Sequence, residues 1–135
     1  MPTNTALITD SLGEIGAVAD GQTASASDLA DGLKALNRMM AIWTEDSMDI
    51  GWFPQDTGSD TIPIPVWAEE AVQANLGLKL CSLYRITPTN DLINKAVEGI
   101  EFVAKKVINH NLEGVDMDHM PYGVYPRWNV DTDNF

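Results

Sequence analysis

Apolar residues recur with the period of an α-helix through four stretches of the chain, and the period fails in two others. It is strongest between Ser25 and Asp46, where Leu29, Leu33, Leu36, Met40 and Trp43 are spaced by three and four and share one face. Ser25 or Ser27 suits the start of that helix, because a short side-chain oxygen accepts an unpaired first-turn amide. Asp28 and Asp31 then lie near the positive end of the helix dipole, and Lys34 and Arg38 follow. Over residues 27–46 the helix would run about 30 Å, at ~1.5 Å per residue. Ahead of it, Ile8, Leu12, Ile15 and Ala19 predict a first helix over residues 4–19, stopped at Asp20-Gly21, where Gly21 suits a left-handed C-terminal turn. The short connection makes these two helices an antiparallel pair.

A third helix is expected over residues 65–84. Pro65 opens it without losing a needed amide, and Glu69 and Glu70 favour its first turn. Val72, Leu76, Leu80 and Leu83 mark one face, and Ala71, Ala74 and Leu78 extend the apolar surface almost all round, the pattern of a helix enclosed by others. Asn75 within it reads as a satisfied core amide. Thr87-Pro88 predicts the cap and first-turn proline of a fourth helix ending near Asn109. Leu92, Ala96, Ile100, Val103 and Val107 are its main face, with Ile93, Val97 and Ala104 beside it, and Lys105 and Lys106 oppose the dipole at its end.

The period first fails over residues 47–64. Gly51, Pro54, Gly58 and Pro63 punctuate this stretch, and Thr61-Ile62-Pro63-Ile64 fits only an edge strand or an extended segment. Met48, Ile50, Trp52 and Phe53 are apolar within it. They either fold back on the core of their own domain or contact a neighbouring copy, since exposed aromatic clusters mark interfaces. The second failure is residues 111–135, which carry no period, five acids against one arginine, and the aromatics Tyr122, Tyr125, Trp128 and Phe135. Tails that stay unstructured are poor in aromatics. The segment either wraps its own bundle or docks elsewhere, and fully extended it would reach about 80 Å at ~3.3 Å per residue. The expected architecture is mainly α. It is a four-helix bundle over residues 1–110, with a loop or edge-strand excursion at 47–64 and an extended C-terminal docking segment at 111–135.

Composition narrows the chemistry. The chain has 135 residues, 44% of them hydrophobic, and twenty acids against eight bases give a formal net charge of −12. That surface cannot displace counterions from nucleic-acid phosphates, and it is repelled by anionic membranes. No apolar run reaches the ~18 residues of a membrane span, and the basic-then-apolar pattern of a signal peptide is missing, so a cytosolic site of synthesis is expected. The single cysteine, Cys81, lies in an apolar helical run and reads as a buried thiol. Glu69/Glu70 and Glu98/Glu101 are acid pairs, but neighbours in a first turn do not face each other and the three-residue spacing is that of a solvated helix face. His110, Asp116, Asp118 and His119 loosely suggest a metal site without matching a closed ligand set. No phosphate-binding glycine loop or nucleophile elbow is present. The residues point to neither an enzyme nor a cofactor.

Three segments, in order, carry a resemblance that covers about four-fifths of the chain. They are LGEIGAVADGQ with its Ser/Ala-rich turn, Leu36-Asn37-Arg38-Met39 with Trp43, and IPVWAEEAVQANLGLKLCSLYRITPT. Together they resemble the head-to-tail adaptor (packaged-DNA stabilisation, or connector) proteins of short-tailed bacteriophages. Relatives in that family usually carry a longer insertion where this chain has residues 47–64. The resemblance implies a virion protein at the head–tail junction, assembled in the host bacterial cytoplasm, with no membrane partner. It would form a homo-oligomeric ring, a dodecamer matching the portal. The ring would bind the portal protein, extend the channel through which packaged DNA passes without sequence-specific binding, and offer a platform to tail or nozzle proteins. On this reading Tyr122, Tyr125, Trp128 and Phe135 dock on the portal. Met48, Ile50, Trp52 and Phe53 contact the next subunit, and Asp28, Asp31, Glu45 and Asp46 line the channel. The alternative from another class is a small acidic regulator that imitates the charge of DNA. It accounts for the net charge but not for the aromatic C-terminal segment.

Overall fold

A computed structural model describes residues 2–19 and 21–113, with side chains through residue 110. Among the described residues the chain forms four α-helices, α1 (Asn4–Glu14), α2 (Ala26–Glu45), α3 (Glu69–Tyr84) and α4 (Asn90–Glu113), with a single 3-10 turn, Val66–Ala68, leading into α3. The expected mainly helical bundle is therefore the observed one. α3 is its centre: it packs most extensively on α4, then on α1, and also against α2. Its buried residues Ala71, Val72, Ala74, Leu76, Leu80 and Cys81 point to several sides, as a helix apolar nearly all round must. Asn75 stays in this core because its Nδ2 donates to the carbonyls of Ala71 (2.7 Å) and Ala96 (3.1 Å).

The helix ends explain where the boundaries differ from expectation. α1 stops at Glu14, five residues early. Gly16 takes φ +79°, and the amides of Gly16 and Ala17 bond the carbonyls of Gly13 and Leu12. That pairing is a Schellman stop, so Gly16 rather than Gly21 terminates the helix. Ser25 caps α2, accepting from the Asp28 amide at 3.2 Å. α4 begins two residues later than Thr87-Pro88 predicts, because Thr89 is its cap, its Oγ1 accepting from the Leu92 amide at 3.2 Å. α3 ends through Arg85 in the left-handed conformation (φ 56°), and Ser47 (φ 65°) follows α2 in the same way.

The excursion between α2 and α3 is built into the core. Ile62 and Ile64 are buried, and Met48, Ile50 and Trp52 pack against the main hydrophobic cluster. Full burial, as at Ile62 and Ile64, is worth roughly 1.5–3 kcal/mol per side chain. The extended segment meets the N-terminus at an antiparallel bridge between Thr3 and Thr61. The amides of Asn4 and Thr5, unpaired within α1, bond the carbonyls of Asp60 (3.0 Å) and Gly58 (2.8 Å), and the Ile62 amide bonds the Pro2 carbonyl at 3.0 Å. Below this, Asn4 Nδ2 donates to Gln55 Oε1 at 2.9 Å, and Asn37 on α2 makes a reciprocal pair with the backbone of Gln55, both bonds at 2.9 Å.

Two close approaches set the helix spacing. A Cβ at Gly32 on α2 would overlap Ile8 Cγ2 on α1, and one at Gly99 on α4 would lie 2.9 Å from Ala71 Cα on α3. Glycine, costly within a helix, is kept at position 99 where α4 meets the α3 backbone this closely, and at position 32 where the Ile8 side chain occupies the space of a Cβ.

Candidate functional site

Among the described residues no group of three His, Cys, Asp or Glu side chains is placed to hold a metal, and no helix is long and apolar enough to cross a membrane. His110 is exposed, while Asp116, Asp118 and His119 lie outside the described residues. Cys81 is buried, and burial pushes its thiol up from its ordinary value. What remains as candidate machinery is surface.

The residues proposed for channel, neighbour and portal fall into three situations. Asp31 and Glu45 are exposed on α2, and Asp46 is exposed just beyond its end. Asp28 is engaged instead: Tyr84 Oη donates to its carboxylate at 2.6 Å, tying the start of α2 to the end of α3. That bond, helped by Ser25, holds the Asp28 carboxyl below its usual value, while burial and then Asp28 push the Tyr84 phenol well above its own. Of the loop residues, Met48, Ile50 and Trp52 are half-buried against the core of their own chain, and Phe53 stands out at 60% exposure. Tyr122, Tyr125, Trp128 and Phe135 lie outside the described residues.

Two apolar surfaces went unmarked in the sequence pattern. The first is an open trough of about 560 Å³ between α2 and α4, floored by α3 and lined by Met39, Ile42, Trp43, Leu78, Lys79 and Ile100. It runs on into a second hollow, of about 610 Å³, that adds Leu83, Lys34 and Arg38. Ile42 and Leu83 are 56% and 54% exposed, so Leu83, expected on the buried face of α3, faces this trough instead. On α4, Ile93, Val97, Ala104 and Ile108 share the face of Ile100 at helical spacing, and Ile93, Val97 and Ile108 are exposed.

The second surface lies on the other flank of α4. Trp67 and Phe102 pack edge-to-face, centroids 6.2 Å apart, beside exposed Val66. Lys106, one turn on, places its Nζ 5.9 Å from the Phe102 ring centre. Glu70, Lys95 and Glu98 line a cleft of about 490 Å³ beside this aromatic pair. Lys95 is tied to Glu14 on α1 at 2.8 Å, with Glu70 3.9 Å away. The available signal was the position of Phe102, apolar yet well off the face of Val103 and Val107.

Comparison with known proteins agrees with the resemblance at the level of the virion. Residues 5–130 match the family described as P22 tail accessory factor. No individual curated protein matches the chain. The match spans all four helices and most of the segment beyond them, so the chain belongs to the P22 tail accessory factor family and is a tail-associated structural protein of the phage virion.

Proposed function

We propose that this protein is a head-to-tail adaptor. It assembles as a closed ring of identical subunits, a dodecamer by family resemblance, beneath the portal. The ring extends the DNA channel, helps retain the packaged genome until ejection, and presents a platform to tail proteins. The observation that carries this reading is the family match across residues 5–130. Two apolar surfaces on opposite flanks of α4, unpartnered among the described residues, support it, because a closed ring joins different faces of successive copies. The role is mechanical and electrostatic, not catalytic. Exposed acids such as Asp31, Glu45 and Asp46, in a chain of net charge −12, would repel DNA phosphates from the channel wall. The aromatics Tyr122, Tyr125, Trp128 and Phe135 supply the anchoring side chains for the portal, since large aromatics dominate interface energetics.

Sedimentation of the purified chain with and without its cognate portal protein tests this. A ring-sized complex with the portal, lost on deleting residues 111–135, is the expected result. Binding that survives the deletion moves the anchor to the helical body. A chain that stays a compact monomer with the portal present overturns the adaptor and favours the acidic regulator.

A further inference from the structure

The two apolar surfaces are complementary in place and in charge. Ile100 lines the trough and Phe102 belongs to the aromatic patch; two residues apart on α4, they project about 200° from each other. The surfaces therefore face away from one another, as successive contacts around a ring require. Lys34, Arg38 and Lys79 gather along the trough and its extension, and among the described residues none has a carboxylate within 4 Å. Asp31 and Asp46 are also on that rim, yet three bases out of eight in the whole chain is a marked concentration for a protein this acidic. Beside the aromatic patch, Lys95 is already neutralised by Glu14 at 2.8 Å and Lys106 lies over Phe102, while Glu98 is without an ion pair among the described residues and Glu70 reaches no base closer than Lys95 at 3.9 Å, which leaves this side with a small surplus of acid.

We propose that the trough between α2 and α4 is the receiving half of the subunit interface, and that its occupant is the Val66–Trp67–Phe102 patch of a second copy of this chain. Trp67 and Phe102 cover Ile42 and Leu83, and Glu98 and Glu70 come opposite Lys79 and Arg38. Self-pairing of either surface is less favourable than this pairing, since trough on trough joins two surfaces with a surplus of bases over Asp31 and Asp46, and patch on patch joins two with a surplus of acids over Lys106. The contact is thus heterologous and propagates from copy to copy. The proposal rests on the ring reading above and assigns the faces that make the ring.

Mixing two single-cysteine chains, each also carrying Cys81→Ala, tests it. One carries Ile42→Cys and the other Phe102→Cys, both at exposed positions. The mixture is oxidised while bound to the portal protein, and in parallel at high concentration alone. The expected product is a mixed disulfide dimer as the main cross-linked species, with little of either self-dimer. Self-dimers alone would establish a two-fold contact and overturn the proposal. No dimer while portal binding persists would reject this interface and leave the adaptor standing. No portal binding, and no mixed dimer in concentrated solution, would reject both. Leu83→Cys with Val66→Cys repeats the test at a second exposed pair.

Discussion

Asn37 joins parts of the chain eighteen residues apart, through two 2.9 Å bonds to the backbone of Gln55. Replacing it with Ala leaves a part-buried amide and carbonyl without partners and is expected to cost about 1–3 kcal/mol in urea unfolding. Asn37→Asp keeps the acceptor but sets a carboxylate against the Gln55 carbonyl, so it should not restore stability. Beyond its part in the family resemblance, the Leu-Asn-x-Met pattern could be read only as helix, because the partner of Asn37 lies in a loop with no period. Its reason is now physical: Leu36 and Met39 are buried while Asn37 fastens the loop. Gly99 was equally silent in the sequence. Gly99→Ala gains helix propensity but drives a methyl onto Ala71 Cα, and the net loss expected in thermal unfolding is about 1–3 kcal/mol. Arg85 holds a left-handed conformation that glycine adopts freely, so Arg85→Gly should raise stability by roughly 0.5–1 kcal/mol.

Among elements, the contact between α2 and α3 carries an acid-side signature. Asp28 has its folded pKa lowered, so its contribution to stability is present above its unfolded value and lost as pH falls through the folded one. Tyr84→Phe removes the main cause. The variant is expected to be less stable at neutral pH and to lose part of the slope below about pH 4, measured by urea titration across that range. Element existence was legible from period and caps: four helices were expected and four are observed, with Ser25 as the cap of α2. Element ends were less so. A glycine at position 16 or 21 can equally stop a helix, and only the amide pairing at Gly16 decides between them. Ile62 and Ile64 are core residues that no local period reveals, since Pro63 and Pro65 leave at most an edge strand or extended segment, and the segment bonds the far N-terminus.

For the whole molecule, charge makes a prediction independent of any interface. With twelve excess negative charges the protein should not retard duplex DNA in a gel at about 0.15 M salt, although its family role places it in the tail of a DNA-filled particle. The net charge was legible at once; its distribution was not. The gathering of Lys34, Arg38 and Lys79 needs α2 and α3 side by side, and residues 34 and 79 have no relation along the chain. The trough escaped notice for a related reason. The apolar stripe of Ile93, Val97 and Ile100 looks like core until α2 and α4 are seen to stand apart across α3.

The joining of Asn4, Thr5 and Ile62 to carbonyls across more than fifty residues has a kinetic corollary. Those amides cannot open singly, because releasing the 58–62 strip unpairs the start of α1 at the same moment. In hydrogen–deuterium exchange they are expected to open as one cooperative set, at a shared rate distinct from that of the α3–α4 interior. The beginning of the chain is thus fastened by residues that follow α2, and its local stability is theirs as well.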